Sequence, residues 1–169
     1  MIELVRGDIT RQHVDVIVNA ANSDLAHGAG VAAAIALAAG ADLRRESEAH
    51  GFVPVGAAAV TTAGELPPRW VVHAVGPIWS GGGEGEPELL GSAYRSALGL
   101  AIDLGARSIA FPSISTGVYG YPVADAASIA VAALRAGAAE PAAPELIRIC
   151  LFSDADLEIY EGALDAAGT

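Results

Sequence analysis

Lysine is absent from the 169 residues, and all nine basic side chains are arginine. That removes Walker-A phosphate binding, Schiff-base chemistry and any lysine nucleophile. Cysteine occurs once, as Cys150 in the apolar run from Leu146 to Phe152. With no disulfide partner and no thiolate cluster available, it reads as a small buried hydrophobe. No apolar run is long enough to span a bilayer, and no secretory signal opens the chain. A cytoplasmic protein is therefore expected. Positive charge is scarce: twenty acidic residues leave a formal net charge of −11. That surface argues against a nucleic-acid backbone or an anionic membrane as partner. It leaves open a small anion held by backbone N–H groups.

What is present is apolar bulk. Hydrophobic residues make up 53 % of the chain, much of it alanine, over a length that suits one domain with a sizeable core. No internal repeat or second domain is visible, so residues 1–169 are read as a single domain and as a monomer. Strands are expected over Ile2 to Val5, around Val14 to Val18, and over Val55 to Thr62, Trp70 to Val75, Arg107 to Phe111 and Leu146 to Phe152. Helices are expected from Val31 to Ala39, Ala41 to His50, Glu86 to about Ile102 and Val123 to Ala136, each closed by a glycine. A last helix follows Ser153-Asp154-Ala155-Asp156, which has capping-box spacing. This alternation argues for an α/β fold with helices on both faces of a sheet. The two strands around residues 55 to 75 suit antiparallel pairing, so the sheet is expected to be mixed. Asp15 reads as solvated, His73 as a satisfied sheet-face histidine, and Gly81-Gly82-Gly83-Glu84-Gly85 as a mobile surface loop.

Two polar, glycine-punctuated loops follow apolar strands and precede helices, where ligands sit in open α/β sheets. The first runs from Asn19 through Asn22 and His27 to Gly28-Ala29-Gly30-Val31. Its amides can donate and accept without charge, and its glycines let a ligand approach the backbone. The second is Ser113-Ile114-Ser115-Thr116-Gly117-Val118-Tyr119-Gly120. Backbone N–H donors from two neighbouring loops suit a pyrophosphate, asparagines suit ribose hydroxyls, and Tyr119 can wall off a sugar. Gly28-Ala29-Gly30-Val31-Ala32-Ala33 also matches the dinucleotide-binding fingerprint. That motif needs its first glycine directly after the strand, whereas here the strand ends well before Gly28, so a redox reading is rejected.

Taken in order, Gly7-Asp8-Ile9-Thr10, Asp15-Val16-Ile17-Val18-Asn19-Ala20-Ala21-Asn22, His27-Gly28-Ala29-Gly30-Val31, His73-Ala74-Val75-Gly76-Pro77 and the second loop resemble the macro domain family over nearly the whole chain. The resemblance implies a three-layer α/β/α sandwich with a mixed central sheet, binding ADP-ribose in a cleft on top of the sheet. It implies that Asp8 accepts from the adenine amino group, with Ile9 contributing a backbone contact and Phe152 lying near the adenine face. It implies that Gly28, Ala29, Gly30 and Val31, with Ser115, Thr116, Gly117, Val118 and Tyr119, wrap the pyrophosphate with backbone N–H groups, and that Ser113 is a further ligand-binding residue. Asn22 bonds the distal ribose, Asn19 and Ala20 shape the same turn, and His27 sits beside that ribose. Asn22 and His27 are the implied catalytic residues, and no cofactor is implied.

The family's hydrolases imply the activity: removal of ADP-ribose from mono-ADP-ribosylated acidic residues, or of acetyl from O-acetyl-ADP-ribose. The partner is then ADP-ribose or an ADP-ribosylated protein. Two departures bear on this. One hydrolase branch carries an aspartate where this chain has Ala32, and another uses a lysine. Related loops with alanine there are still regarded as hydrolases, with a water placed by the asparagine and a substrate phosphate attacking the distal ribose. A non-catalytic reader of ADP-ribose and a phosphatase acting on ADP-ribose 1″-phosphate stand as alternatives.

Overall fold

The apolar runs form six strands: β1 (Ile2–Arg6), β2 (Val16–Ala21), β3 (Ala58–Thr62), β4 (Trp70–Val75), β5 (Ser108–Phe111) and β6 (Leu146–Leu151). The computed structural model describes residues 1–168. The strands make one sheet in the order β1-β6-β5-β2-β4-β3. β3 runs antiparallel to β4 and every other neighbouring pair is parallel. The helices are α1 (Gly30–Ala39), α2 (Ala41–His50), α3 (Glu86–Asp103), α4 (Val123–Ala138) and α5 (Asp154–Gly168).

Strand periodicity sorts the side chains between two helix layers. Val16, Val18, Val72, Ala74, Ile109 and Phe111 pack with α3, α4 and α5. Their strand neighbours Ile17, Val71, Ala110 and Cys150 pack with α1 and α2 on the opposite face. Strands covered on both sides read as unbroken apolar runs, which is how these read in the sequence. The result is a three-layer α/β/α sandwich with a mixed sheet.

Four local expectations are revised. β2 continues past Val18, so Asn19 and Ala20 belong to the strand instead of the turn. Asp15 is not simply solvated: its carboxylate accepts the Arg107 and Ser108 N–H groups at 2.7 and 3.2 Å, tying the start of β2 to that of β5. Gly137 does not stop α4, which runs on to Ala138; a Cβ there would collide with Leu98 of α3, so the glycine permits close helix packing. The Gly81–Gly85 loop is tethered. The Glu86 carboxylate, buried at the first residue of α3, accepts the N–H groups of Ser80, Gly82 and Glu84.

The carboxyl ends of the five parallel strands share one rim. β2 leads into α1 on one face, while β5 leads into α4 on the other. A crevice must open where the two connections diverge.

Candidate functional site

A cleft of about 360 Å³ lies at that divergence, a size suited to a small organic ligand. Its first wall is Ala20, Ala21, Asn22, Ala26 and Gly28 to Ala32; its second is Ser113 to Ser115 and Gly117 to Tyr119; Gly76 closes the space between them. Among the described residues, no charged side chain lines it and Tyr119 is the one titratable group.

What the cleft offers is backbone donors. Helix α1 has no side-chain cap, and Ala33 is the first residue of its N-terminus whose N–H finds a carbonyl, that of Ala29 at 3.2 Å. The N–H groups of Gly30, Val31 and Ala32 are thus uncommitted and sit at the positive end of the helix dipole. On the facing wall, the N–H groups of Ser115 through Tyr119 donate to no atom of the described chain. Two loops with unspent donors flanking one space suit an anion without a cation.

Each of the two loops carries one non-glycine residue at positive φ, and these are the two such residues among the described ones: Leu25 at 52°, buried in the turn between Asn22 and Ala26, and Ser115 at 67°. Such conformations cost on the order of 1–2 kcal/mol and persist only where the surroundings enforce them. The enforcing groups differ between the walls.

Under the first wall lies a chain of buried polar groups. Ser47 Oγ donates to the Leu43 carbonyl at 2.8 Å, so it receives the Nε2–H of His27 at 2.9 Å. Thr61 Oγ1 likewise donates to the Thr62 carbonyl at 3.0 Å and receives the Nε2–H of His73 at 2.9 Å. Both imidazoles therefore present Nδ1 as an acceptor, and the Asn19 amide nitrogen reaches them at 3.4 Å (His27) and 3.0 Å (His73). This assignment follows from the network's donor count, and it requires both rings to be neutral. Burial pushes His73 down to about 3, with His27 and His50 adding to it. Burial, then Arg44, lowers His27. Above this network, Asn22 closes its own turn: its Nδ2 donates to the Ala26 carbonyl at 3.0 Å and its Oδ1 accepts the Ala26 N–H at 2.9 Å.

The second wall is held by hydroxyls from the opposite helix layer. Tyr94 of α3 donates to the Pro112 carbonyl at 3.2 Å and accepts the Ile114 N–H at 3.0 Å. Tyr160 of α5 bonds Ser113 Oγ at 2.7 Å. Thr116 Oγ1 donates back to the Ser113 carbonyl and hydroxyl at 3.0 and 2.9 Å. On the far side, the Tyr121 N–H donates to the Ser115 carbonyl and the Trp79 N–H to the Tyr119 carbonyl, each at 2.9 Å.

The structure brings together Ala20, Asn22, Gly28, Ala29, Gly30, Val31, Ser113, Ser115, Gly117, Val118 and Tyr119. It does not bring His27 or Asn19 to them. His27 is 5 % exposed and its ring points at Ser47 beneath the wall, and Asn19 is fully buried between the two histidines. Asn19 is a strand residue because β2 runs three residues past Val18, and His27 is turned inward by its bond to Ser47 of α2. Thr116 turns back onto Ser113 instead of lining the cleft. Asp8, Ile9 and Phe152 lie farther along the same rim, where the Gly7 N–H donates to the Leu151 carbonyl and joins β1 to β6. Asp8 Oδ1 is occupied by the Thr10 N–H and hydroxyl, at 2.9 and 2.6 Å. Ile9 is buried, and Phe152 is 90 % exposed. Ala29, in the place of a glycine, is extended at φ −152° and unstrained.

Sequence reasoning missed Ala21, Ala26, Ala32, Ile114 and Gly76 as lining residues. Gly76 carried a signal, a glycine directly after an apolar strand. A Cβ there would run into Ser115 Oγ and crowd Ile114 Cγ2 at 2.5 Å. Among the described residues, no group of three or more His, Cys, Asp or Glu side chains can hold a metal ion.

A cleft without a cation, between two loops rich in unspent backbone donors at the switch point of the sheet, defines the class: a three-layer α/β/α protein with its candidate ligand site on the rim of the sheet. The family follows from comparison: the Macro domain family model matches residues 18–130, and the chain belongs to that family. It is 48 % identical over 166 residues to a macro domain-containing protein of Chlorobaculum tepidum, covering 98 % of this chain and 96 % of the relative. It is 46 % identical over 171 residues to an O-acetyl-ADP-ribose deacetylase of Enterobacter cloacae, covering 99 % and 95 %. A mutant of the Oceanobacillus iheyensis macrodomain, solved with ADPR, superposes with a TM-score of 0.92 at 40 % identity, covering 98 % of this chain and 92 % of the other.

Proposed function

We propose that this protein binds ADP-ribose in the cleft and hydrolyses the bond at its distal ribose, in mono-ADP-ribosylated acidic side chains or in O-acetyl-ADP-ribose. The observation that carries the binding half is the pair of uncommitted N–H rows, at Gly30 to Ala32 and Ser115 to Tyr119. They suit a diphosphate, and a relative of the same fold was solved with ADPR. Asp8 and Phe152 lie along the rim on the adenine side of this reading, and Asn22 and Tyr119 border the distal sugar.

The catalytic half rests on the deacetylase relatives, and what the cleft lacks constrains how it works. With no carboxylate, imidazole or amine among its described lining residues, no side-chain base removes a proton from water. Rate must come from positioning, with the substrate's own phosphate next to the attacking water. For an ester-linked substrate, water adds at C1″, the C1″–O bond to the acyl group breaks, and ADP-ribose and a free carboxylic acid leave.

The same lack of a base favours a second reading, a module that binds ADP-ribose without turning it over. A time course on mono-ADP-ribosylated glutamate separates the two. Free ADP-ribose appearing above the buffer rate supports hydrolysis. Calorimetric binding of ADP-ribose with no release at the same protein concentration leaves the reader, and no binding by folded protein ends both.

A further inference from the structure

The mechanism uses neither of the two tyrosines beneath the second wall. Tyr94 and Tyr160 are both fully buried and come from two different helices, yet their hydroxyls meet one loop. Packing alone does not require either hydroxyl, since a phenylalanine fills the same apolar volume, and a buried hydroxyl is found where it has partners. The partners here are specific. Tyr94 takes the carbonyl two residues before Ile114 and the N–H of Ile114 itself, bracketing Ser113. Tyr160 takes the Ser113 hydroxyl, which also receives the Thr116 hydroxyl. Immediately after this fixed segment, Ser115 stands at φ 67°. Its Oγ is buried and without a hydrogen-bond partner.

We propose that Tyr94 and Tyr160 are positioning residues, whose hydroxyls hold Pro112 to Thr116 so that Ser115 stays left-handed and the following N–H groups face the cleft. A serine released from such restraint relaxes toward negative φ, and the peptide units after it rotate. The donors of Ser115 to Tyr119 would then no longer converge. The proposal rests on the ADP-ribose reading for its binding readout and on the loop geometry alone for its other readout.

The test uses Y94F, Y160F and S115G, singly and with each Phe change combined with S115G, in the full chain. Glycine takes positive φ freely, so S115G removes the strain that the hydroxyls are held to enforce. ADP-ribose affinity is measured by calorimetry, and amide hydrogen exchange is followed in the free protein. Y94F is expected to weaken ADP-ribose about tenfold and Y160F about threefold, while in the S115G background each Phe change costs less than twofold. Exchange should rise within residues 113 to 120 and nowhere else. The proposal is overturned if both Phe variants bind within twofold of the parent while melting at lower temperature. It is overturned equally if the Phe penalties persist unchanged in the S115G background. Should the parent protein not bind ADP-ribose, the function proposed above fails and exchange alone decides. A rise confined to the loop then upholds the clamp, and a rise spread through α3 and the sheet refutes it. Should Y94F not fold, Y160F and its combination with S115G carry both measurements.

Discussion

The two walls of the cleft do the same thing by different means. The first is braced from the α1 and α2 layer by an amide and two imidazoles; the second is braced from the α3 and α5 layer by two phenols. An imidazole acts as a single-sided acceptor only while it is neutral, so the first brace depends on pH. Burial raises both phenols above their ordinary value of 10, Tyr94 well above it, so the second brace is indifferent to acid and neutral conditions alike. A single ligand site thus rests on one titratable support and one that is not. The two should be separable by experiment.

The largest expected effect comes from removing the centre of the first brace. Asn19→Ala deletes the donor to both Nδ1 atoms and leaves two buried acceptors unpaired. At about 1–3 kcal/mol for each orphaned group, the loss is about 3 kcal/mol, or a Tm lower by roughly 6–12 °C for a chain of this size. Calorimetric melting at pH 7.5 measures it. A loss under about 1 kcal/mol would mean that the network contributes little.

Gly76→Ala strikes the seam between the walls. The added methyl meets Ser115 Oγ and Ile114 Cγ2, so the second loop must move outward. Affinity for ADP-ribose should fall about 100-fold, equivalent to about 2.7 kcal/mol, with a much smaller change in Tm. Unaltered affinity would show that the walls tolerate separation.

Acidification should weaken the first brace alone. The folded values of His27 and His73 lie below the unfolded value of 6.5, that of His73 at about 3. Below 6.5 the unfolded chain therefore binds more protons than the fold. Stability is complete above 6.5 and is lost progressively as pH falls toward the folded values. His73 contributes a slope approaching about 1.4 kcal/mol per pH unit below 6.5, and His27 adds to it in the same direction. Melting curves between pH 6.5 and 5, above most carboxylate titration, measure it. His73→Leu lowers stability at every pH, and its signature is a flatter slope between pH 6.5 and 5. An unchanged slope would mean that these rings protonate within the fold.

How much of this was readable beforehand follows from where each signal resides. The sheet order could not be read from periodicity, but the layering could, because Val16, Ile17 and Val18 are buried to opposite sides and leave an unbroken apolar run. The glycines and polar residues of both loops were legible because such residues cluster after strands where the backbone must be approached, whereas the apolar lining of Ala21, Ala26, Ala32 and Ile114 carried no such mark. The supports were not. His27 lies next to Gly28 in sequence, and adjacency suggested a role in the cleft; only the strand's true end at Ala21, and Ser47 twenty residues on, reveal that the ring turns inward. Tyr94 and Tyr160 are buried core residues of α3 and α5, and helical periodicity says nothing of where a hydroxyl points. Glu86 read as a helix start, and its capture of the Gly81–Gly85 loop depends on carboxylate geometry that composition does not encode.

The smallest expected effect tests what the walls share. Most sites for a diphosphate pair it with lysine or arginine, and their affinity falls steeply as salt screens the attraction. Here no charged side chain lines the cleft among the described residues, and the chain carries a formal charge of −11. The local donors are peptide dipoles whose field is short-ranged, while the long-range field of the whole surface opposes an anion. Raising salt from about 50 to 300 mM shortens the screening length from roughly 14 to 6 Å, which weakens the repulsion more than the contact. ADP-ribose affinity should therefore stay constant or rise by up to about twofold across that range. A fall of fivefold or more would reveal an arginine reaching into the cleft on binding, and the two walls would then not be sufficient by themselves.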